Sequence, residues 1–385
     1  MKYRFWIAVM PIDNCSFRMI DSKSFCLDEE LLKLVEKYFG KRQVLLSAGL
    51  WDFAVGFEYV KQGEEVLVDS GGFQFYYLTP GRLRDFYERR KSFYKFQIKN
   101  GTYVIGGDIA VGVDLDEEQL KYYLNLTREN FEFQFSLGVD GSRFINVMHG
   151  VSPSNMKIWY EGVRGFPCAG WALGAKGFKV YSIVMQLLYL HQMGELKDGR
   201  LLHFFGMSGE TTIPVLKWVC EQLGLNVVMS SDSSSFSLAR FGGLFYKGGE
   251  IVRYKEIREG RVVELWDGTV LKDVPKKVDV KLARDLMLTG LMYFLEFVNE
   301  RIVGMKEERL REVIKETEVD KILKWYKNGG VEDVYGQFRD KIIGVSEVRL
   351  VDRFELDTMI VNKNKHRKKE QEEDVSEHRI IEDIM

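Results

Sequence analysis

Cysteine is scarce and scattered in this chain: Cys15, Cys26, Cys168 and Cys220 are its only four among 385 residues. They form no Cys-x-x-Cys pair and have no histidine at ligand spacing, which excludes a disulfide framework or a zinc knuckle as the basis of the fold. Long apolar runs are missing as well. The patch that follows Lys2 and Arg4 is ended by Asp13 and Asn14, too early for a signal peptide or a spanning helix. A soluble cytoplasmic protein with no membrane partner is expected. Net charge is only −2, so a nucleic-acid partner must be met by cations gathered locally rather than by the whole surface. No Gly-x-Gly-x-x-Gly follows the first apolar run, which argues against a doubly wound dinucleotide sheet. What is present is 45% hydrophobic and 13% aromatic, enough for one large core plus an appendage.

Short β-rich apolar runs recur with helical patterns between them. Eight are candidate strands: Arg4–Met10, Gln43–Ser47, Glu65–Asp69, Tyr103–Asp108, Arg143–His149, Phe166–Gly174, Leu201–Gly206 and Asn226–Asp232. Amphipathic stretches lie at Asp28–Phe39, Arg82–Tyr94, Glu117–Phe135 and Ile213–Leu223. Eight strands in this alternation predict an α/β fold, a closed (β/α)8 TIM barrel with its active site where the strands end. Residues 1–304 are assigned to the barrel. Within them, 244–280 read as a small β insertion before the last barrel helix, with Gly248 to Val274 alternating like an antiparallel sheet. Residues 305–361 read as a helical extension and 362–385 as a charged tail.

Val66-Leu-Val-Asp69-Ser70-Gly71-Gly72-Phe73-Gln74 hangs a carboxylate on the end of a buried strand, just before glycines that expose the backbone. The local pattern alone fits equally a turn whose Asp caps the next helix. The barrel supplies a wider test. Asp69, Asp108 or Asp114, His149, Gly174 and Asp232 all fall at or just beyond the C-terminal ends of proposed strands, where side chains from different strands converge. Each alone has a structural reading: Asp232 as an N-cap in a Ser-rich turn, His149 as a core histidine bonded to a carbonyl.

These residues make the chain similar to the tRNA-guanine transglycosylases, which exchange guanine in a polynucleotide for a 7-deazaguanine without cutting the backbone. The likeness runs from the second strand to the helix near Leu282–Arg301. Asp69 to Gln74 matches the family's Asp-Ser-Gly-Gly-Phe/Tyr-Gln motif, and Asp108-Ile-Ala-Val-Gly-Val-Asp114 resembles its Asp-Ile-x-x-x-x-Asp strand. Asn146-Val-Met-His149-Gly150 stands at the Ile-Val-Gln-Gly position and Ala172-Leu-Gly174-Ala175 at the Gly-Gly pair. Leu202-His-Phe-Phe-Gly206 and Ser231-Asp232-Ser-Ser-Ser-Phe-Ser-Leu-Ala-Arg240 resemble the archaeal branch. The resemblance implies Asp232 as nucleophile, Asp69 as the acid and base, and Asp114 facing the base. It also implies Ser70, Gly71, Gly72, Phe73, Gln74, His149, Gly174 and Ala175 around the substrate, with Gly174 and Ala175 offering a backbone N–H to the base carbonyl. No cofactor is implied.

Two departures matter. The tRNA enzymes carry zinc on a cysteine cluster and a helix histidine. Here Pro275-Lys-Lys-Val-Asp279 and Leu288-Thr289-Gly290-Leu291 occupy those positions and cannot ligate it. His149 replaces a glutamine and offers one donor or acceptor per nitrogen where the amide offers both kinds. Both departures fit the zinc-less DNA-guanine transglycosylases, which insert a 7-deazaguanine, commonly 7-cyano-7-deazaguanine, and so shield a genome from restriction nucleases. The expected partners are therefore DNA, with tRNA as the alternative, and a free 7-deazaguanine base. Action alone or as a homodimer stays open, as does a non-catalytic partner subunit. For phosphate contact the expected surface is Arg82, Arg84, Arg89, Arg90, Lys91, Lys95, Lys99 and, beyond the last strand, Arg240, whereas the aromatics Phe86, Tyr87, Phe93, Tyr94 and Phe96 between the cations read as core.

Overall fold

The computed structural model describes residues 2–9, 16–49, 57–71, 80–109, 111, 116–174, 180–207, 209–233, 244–247, 250–275 and 278–343, with the backbone alone for 80–86, 244–247 and 250–251. The chain begins with β1 (Lys2–Val9), β2 (Phe17–Met19), β3 (Ser24–Leu27), α1 (Glu29–Phe39), β4 (Gln43–Ser47), β5 (Glu58–Tyr59) and β6 (Glu65–Asp69). Helix and strand then alternate through α2 (Pro80–Asn100), β7 (Tyr103–Ile105), α3 (Glu117–Ser136), β8 (Phe144–Met148), α4 (Pro153–Val163) and β9 (Gly170–Leu173). They continue through α5 (Val180–Gln192), β10 (Leu201–Phe204), α6 (Thr212–Gln222) and β11 (Val228–Ser233).

The eight strands β1, β4, β6, β7, β8, β9, β10 and β11 close into one barrel of order β1-β11-β10-β9-β8-β7-β6-β4. Every neighbouring pair is parallel. This is the (β/α)8 barrel that the alternation predicts. The first strand seals it, pairing with β11 on one side and β4 on the other, so that Trp6 lies opposite Asp232 and Ile7 opposite Val44.

Strand alternation decides which side chains meet inside. Trp6, Ala8, Leu45, Leu67, Ile105, Ile145, Val147, Ala172 and Leu201 fill the lumen, while Val44, Val66, Val68, Val104, Met148, Leu173 and Met229 join the larger core under the helices. Asp69 has the parity of Leu67, and Asp232 that of Val228, which packs on the lumen cluster. Both carboxylates therefore face inward at strand ends. Gly170 shows how tightly β9 and β10 approach: a Cβ built there would lie 2.0 Å from the carbonyl oxygen of Leu201. Gly170→Ala must push two barrel strands apart, and about 1–3 kcal/mol of destabilisation is expected, read as a lower urea midpoint at unchanged slope.

Three expectations need correction. The fourth strand stops at Ile105, not Asp108, because side chains of α3 take over the backbone. Gly107 N–H donates to Gln134 Oε1, Asn130 Nδ2 donates to Gly107 O, and Ile109 N–H donates to Thr127 Oγ1. The sixth begins at Gly170, not Phe166, since Phe166 N–H still closes the end of α4 on Val163 O and Pro167 has no N–H to give a ladder. The insertion is not one sheet. It is two hairpins, β12 (Leu244–Lys247) with β13 (Glu250–Arg253) and β14 (Val263–Glu264) with β15 (Val270–Leu271), separated by the short helix α7 (Tyr254–Arg258). Tyr254 and Ile257, three apart, turn to one side there and enter a core of their own with Val252, Val263, Leu265, Val274, Leu286 and Tyr293.

The last barrel helix is α8 (Val280–Val298), followed by a π-helical turn, α9 (Glu307–Thr317) and α10 (Val319–Ile343). The C-terminal helices pack back on the barrel: Tyr181 donates to Thr317 O, Ser182 Oγ to Ile342 O at 2.7 Å, and Trp218 Nε1 to Asp320 at 2.8 Å. Among the described residues no helix is long and apolar enough to cross a membrane. The charged tail lies outside the described residues.

Candidate active site

Asp69 closes β6 at the mouth of the barrel. Its Oδ2 accepts hydrogen bonds from Ser47 Oγ, at the matching end of β4, and from Gly71 N–H, both at 3.2 Å. Gly71 reverses the chain at φ 83°, a conformation that glycine adopts without a Cβ penalty, and this brings its amide back to the carboxylate. Burial raises the Asp69 pKa, the charge of Asp108 adds to it and that of Asp232 adds further. The two hydrogen bonds offset only part, leaving it at about 7. Three acidic groups from three strands or strand ends thus share one electrostatic environment. Ser70 is fully buried beside them.

Asp108 follows β7 and is itself buried. Its Oδ2 lies 2.7 Å from Nε2 of His149, which is 1% exposed at the end of β8. The imidazole rests edge-on against Trp159, whose indole N–H donates to Val147 O. His149 is thus bonded to Asp108 through Nε2, while its Nδ1 is buried with no hydrogen-bond partner among the described residues. The signal for Asp108 was present in α3, where Thr127, Asn130 and Gln134 recur at helical spacing as a buried polar stripe. They clamp the backbone on both sides of Asp108 and aim it.

Asp232 lies across the mouth on β11. Gly206 N–H donates to its Oδ1 at 2.8 Å, and Nε2 of His203 approaches the same oxygen to 3.3 Å, without the alignment of a hydrogen bond. His203 is completely buried and its Nδ1 pairs with Ser230 Oγ at 3.0 Å. The N-cap reading of Asp232 accounts for none of these contacts. Sequence reasoning passed over His203 and Ser47; lumen parity, taken along β10 and β4, would have found both.

Buried amides stitch the strand ends together. Gln97 Nε2 donates to Val68 O and Ile105 O, each at 3.0 Å, and its Oε1 accepts from Gln134. Gln186 donates to Met148 O and Gly150 O while its Oε1 accepts the N–H of Gly174 at 3.1 Å. Of the pair expected to offer an N–H to the base carbonyl, Gly174 gives its amide to Gln186, and Ala175 lies outside the described residues. Each glutamine satisfies backbone groups that would otherwise be buried unpaired.

Of the expected phosphate-binding residues, Arg89 and Lys91 are exposed. Arg90 is committed within the protein: Nη1 donates to Asn130 Oδ1 at 3.1 Å and the guanidinium lies between the rings of Tyr87 and Phe133. Of the aromatics read as core, Phe93, Tyr94 and Phe96 are buried, Tyr87 is half-buried against them, and the side chain of Phe86 lies outside what is described. The side chains of Arg82 and Arg84, and the residues Gly72, Phe73, Gln74, Asp114, Ala175 and Arg240, lie outside what is described. Thr289 Oγ1 accepts the N–H of Trp266 and donates to Asp285 O, so α8 is tied to the insertion by a hydrogen bond. No protein-family model matches the chain, and no curated protein matches it.

Proposed function

We propose that this protein exchanges guanine in DNA for a 7-deazaguanine, 7-cyano-7-deazaguanine being the favoured base, through a covalent glycosyl-aspartate. The observation that carries the proposal is the pairing of Asp69 and Asp232 at one barrel mouth. One acid has a pKa near 7, and the other has an oxygen held by a backbone N–H. An acid that titrates near the working pH can both give and take a proton, and a held carboxylate can attack a sugar carbon. Asp232 bonds to C1′ as the bond from C1′ to guanine breaks; the bonding pair leaves with the base, which takes the proton of Asp69. The incoming base then gives its proton to the Asp69 carboxylate and bonds to C1′, and the Asp232 carboxylate departs. Two displacements leave the sugar configuration unchanged. Among the described residues Asp108, held through Oδ2 by His149, offers a carboxylate to adjacent N–H donors of the purine, the role that the resemblance gives to Asp114, which lies outside them. The base reaches the mouth by flipping out of its stack.

Two features favour DNA over tRNA. The zinc positions hold residues that cannot ligate the metal, and the described helices after the barrel, which end at Ile343, pack back against it. Labelled guanine offered together with duplex DNA and with tRNA tests this. Label entering DNA is the expected result. Label entering tRNA alone overturns the polymer assignment, and label entering neither overturns the reaction.

A further inference from the structure

Three polar groups along the lumen side of β10 and β11 line up in series: Ser230 Oγ, the imidazole of His203, and Oδ1 of Asp232. We infer that His203 is a positioning residue that acts through Asp232, directing Oδ2 rather than Oδ1 to the sugar. The inference rests on the base-exchange reading for its chemistry, but its geometry stands apart from it. An Nε2 lone pair facing a carboxylate oxygen at 3.3 Å is repulsive, whereas an Nε2–H there is attractive. With Nδ1 unprotonated, Ser230 then donates its hydroxyl proton to that nitrogen, and no other hydrogen bond competes for the hydroxyl among the described residues. Because the ring is completely buried, with its edge against Phe205, it has no solvent route to the other arrangement.

Gly206 N–H thus donates a hydrogen bond to Oδ1, and the imidazole Nε2–H faces the same oxygen at 3.3 Å as an electrostatic contact. Oδ2 has no hydrogen-bond donor among the described residues and retains its electron density for attack. When Oδ2 bonds to C1′, Oδ1 becomes the ester carbonyl oxygen and keeps the same two donors. When the incoming base displaces Asp232, the bonding pair returns to Oδ2, and those donors stabilise the carboxylate as it forms. Loss of the imidazole donor therefore weakens release of the enzyme from the sugar as well as orientation of the nucleophile. The covalent adduct accumulates while turnover falls.

The tautomer is tested on the wild-type protein without substrate. With ¹⁵N-labelled histidine, the His203 signals should report a proton on Nε2; a ring whose Nε2 carries no proton overturns the inference whatever the protein catalyses. In the base-exchange assay, wild-type turnover establishes the reaction first. His203→Leu should then lower kcat by about three- to tenfold, the loss of one electrostatic contact to the carboxylate, with little change in KM for the base and a larger trapped fraction. His203→Gln, whose amide N–H can replace Nε2–H, should recover most of that loss. Wild-type kcat in His203→Leu, or equal loss in the Leu and Gln variants, overturns the inference. If His203→Leu does not fold, Ser230→Ala decides: a several-fold lower kcat supports it and an unchanged kcat removes it.

Discussion

Asp232→Asn is expected to end base exchange, with a loss of at least about 10³-fold and no protein–nucleic acid adduct after denaturation. The substitution is nearly isosteric, and the amide oxygen can still accept the Gly206 N–H that Asp232 Oδ1 accepts, so the fold should survive. What disappears is the charge and nucleophilicity that an oxocarbenium-like sugar needs beneath it. The amide N–H₂ group also meets the imidazole N–H if it turns toward Oδ1's place, which favours the rotamer with oxygen inward. A denaturing gel with end-labelled DNA reads the adduct directly, and circular dichroism verifies the fold. Wild-type exchange by the Asn protein would leave only the reading of a scaffold subunit that pairs with a separate active enzyme.

Asp69→Asn should be nearly as damaging to activity, by about 10²–10⁴-fold, and should stabilise the protein at the same time. The sign follows from the pKa. In the unfolded chain this carboxyl ionises near 3.8, and in the folded protein only at about 7, because it is buried beside Asp108 and Asp232. Below pH 4 both states carry the proton and the group contributes nothing to the pH dependence of stability. Between about 4 and 7 the unfolded state loses its proton first, so stability falls as pH rises, and above about 7 the whole penalty is present. Each unit of such a shift corresponds to roughly 1.4 kcal/mol. Asparagine carries no charge to bury, so its advantage in chemical denaturation should be absent at pH 4 and greatest at pH 8.

The same value sets the kinetics. On the proposed base exchange, formation of the covalent intermediate requires Asp69 protonated, so in rapid-quench experiments it should decline above about pH 7. Asp108→Asn removes one of the negative charges that raise the Asp69 pKa, and that limb should move to lower pH. A limb that stays in place would detach Asp69 from the proton transfer. Loss of stability in Asp69→Asn at alkaline pH would contradict the burial argument itself.

Much of the architecture is legible in the residues. Gln43–Ser47 and Glu65–Asp69 are strands with the same bounds in sequence pattern and structure, because short apolar runs buried on both sides of a parallel sheet have little freedom to begin or end elsewhere. Helix α1 starts one residue after Asp28, whose carboxylate caps the amides of Glu30 and Leu31. Tyr103–Asp108 reads too long because apolarity continues through Gly106 and Gly107, while the groups that end the strand come from Thr127, Asn130 and Gln134 on the next helix. The sheet of β2, β3 and β5 joins segments more than thirty residues apart with strands of two to four residues, too short to show a period.

The residues alone determine the alternation of eight apolar strands with helices, and with it an inward parity for Asp69 and Asp232, since side-chain direction along a strand has a fixed period of two. Local bonding sets that, and local bonding is written in neighbouring residues. Only the closed barrel decides that these carboxylates, 163 positions apart, feel one another, that Asp108 faces His149, and that Arg90 is held between two rings. Charge coupling depends on distance through space and on how much water is excluded, and neither is defined until β1 pairs with both β4 and β11.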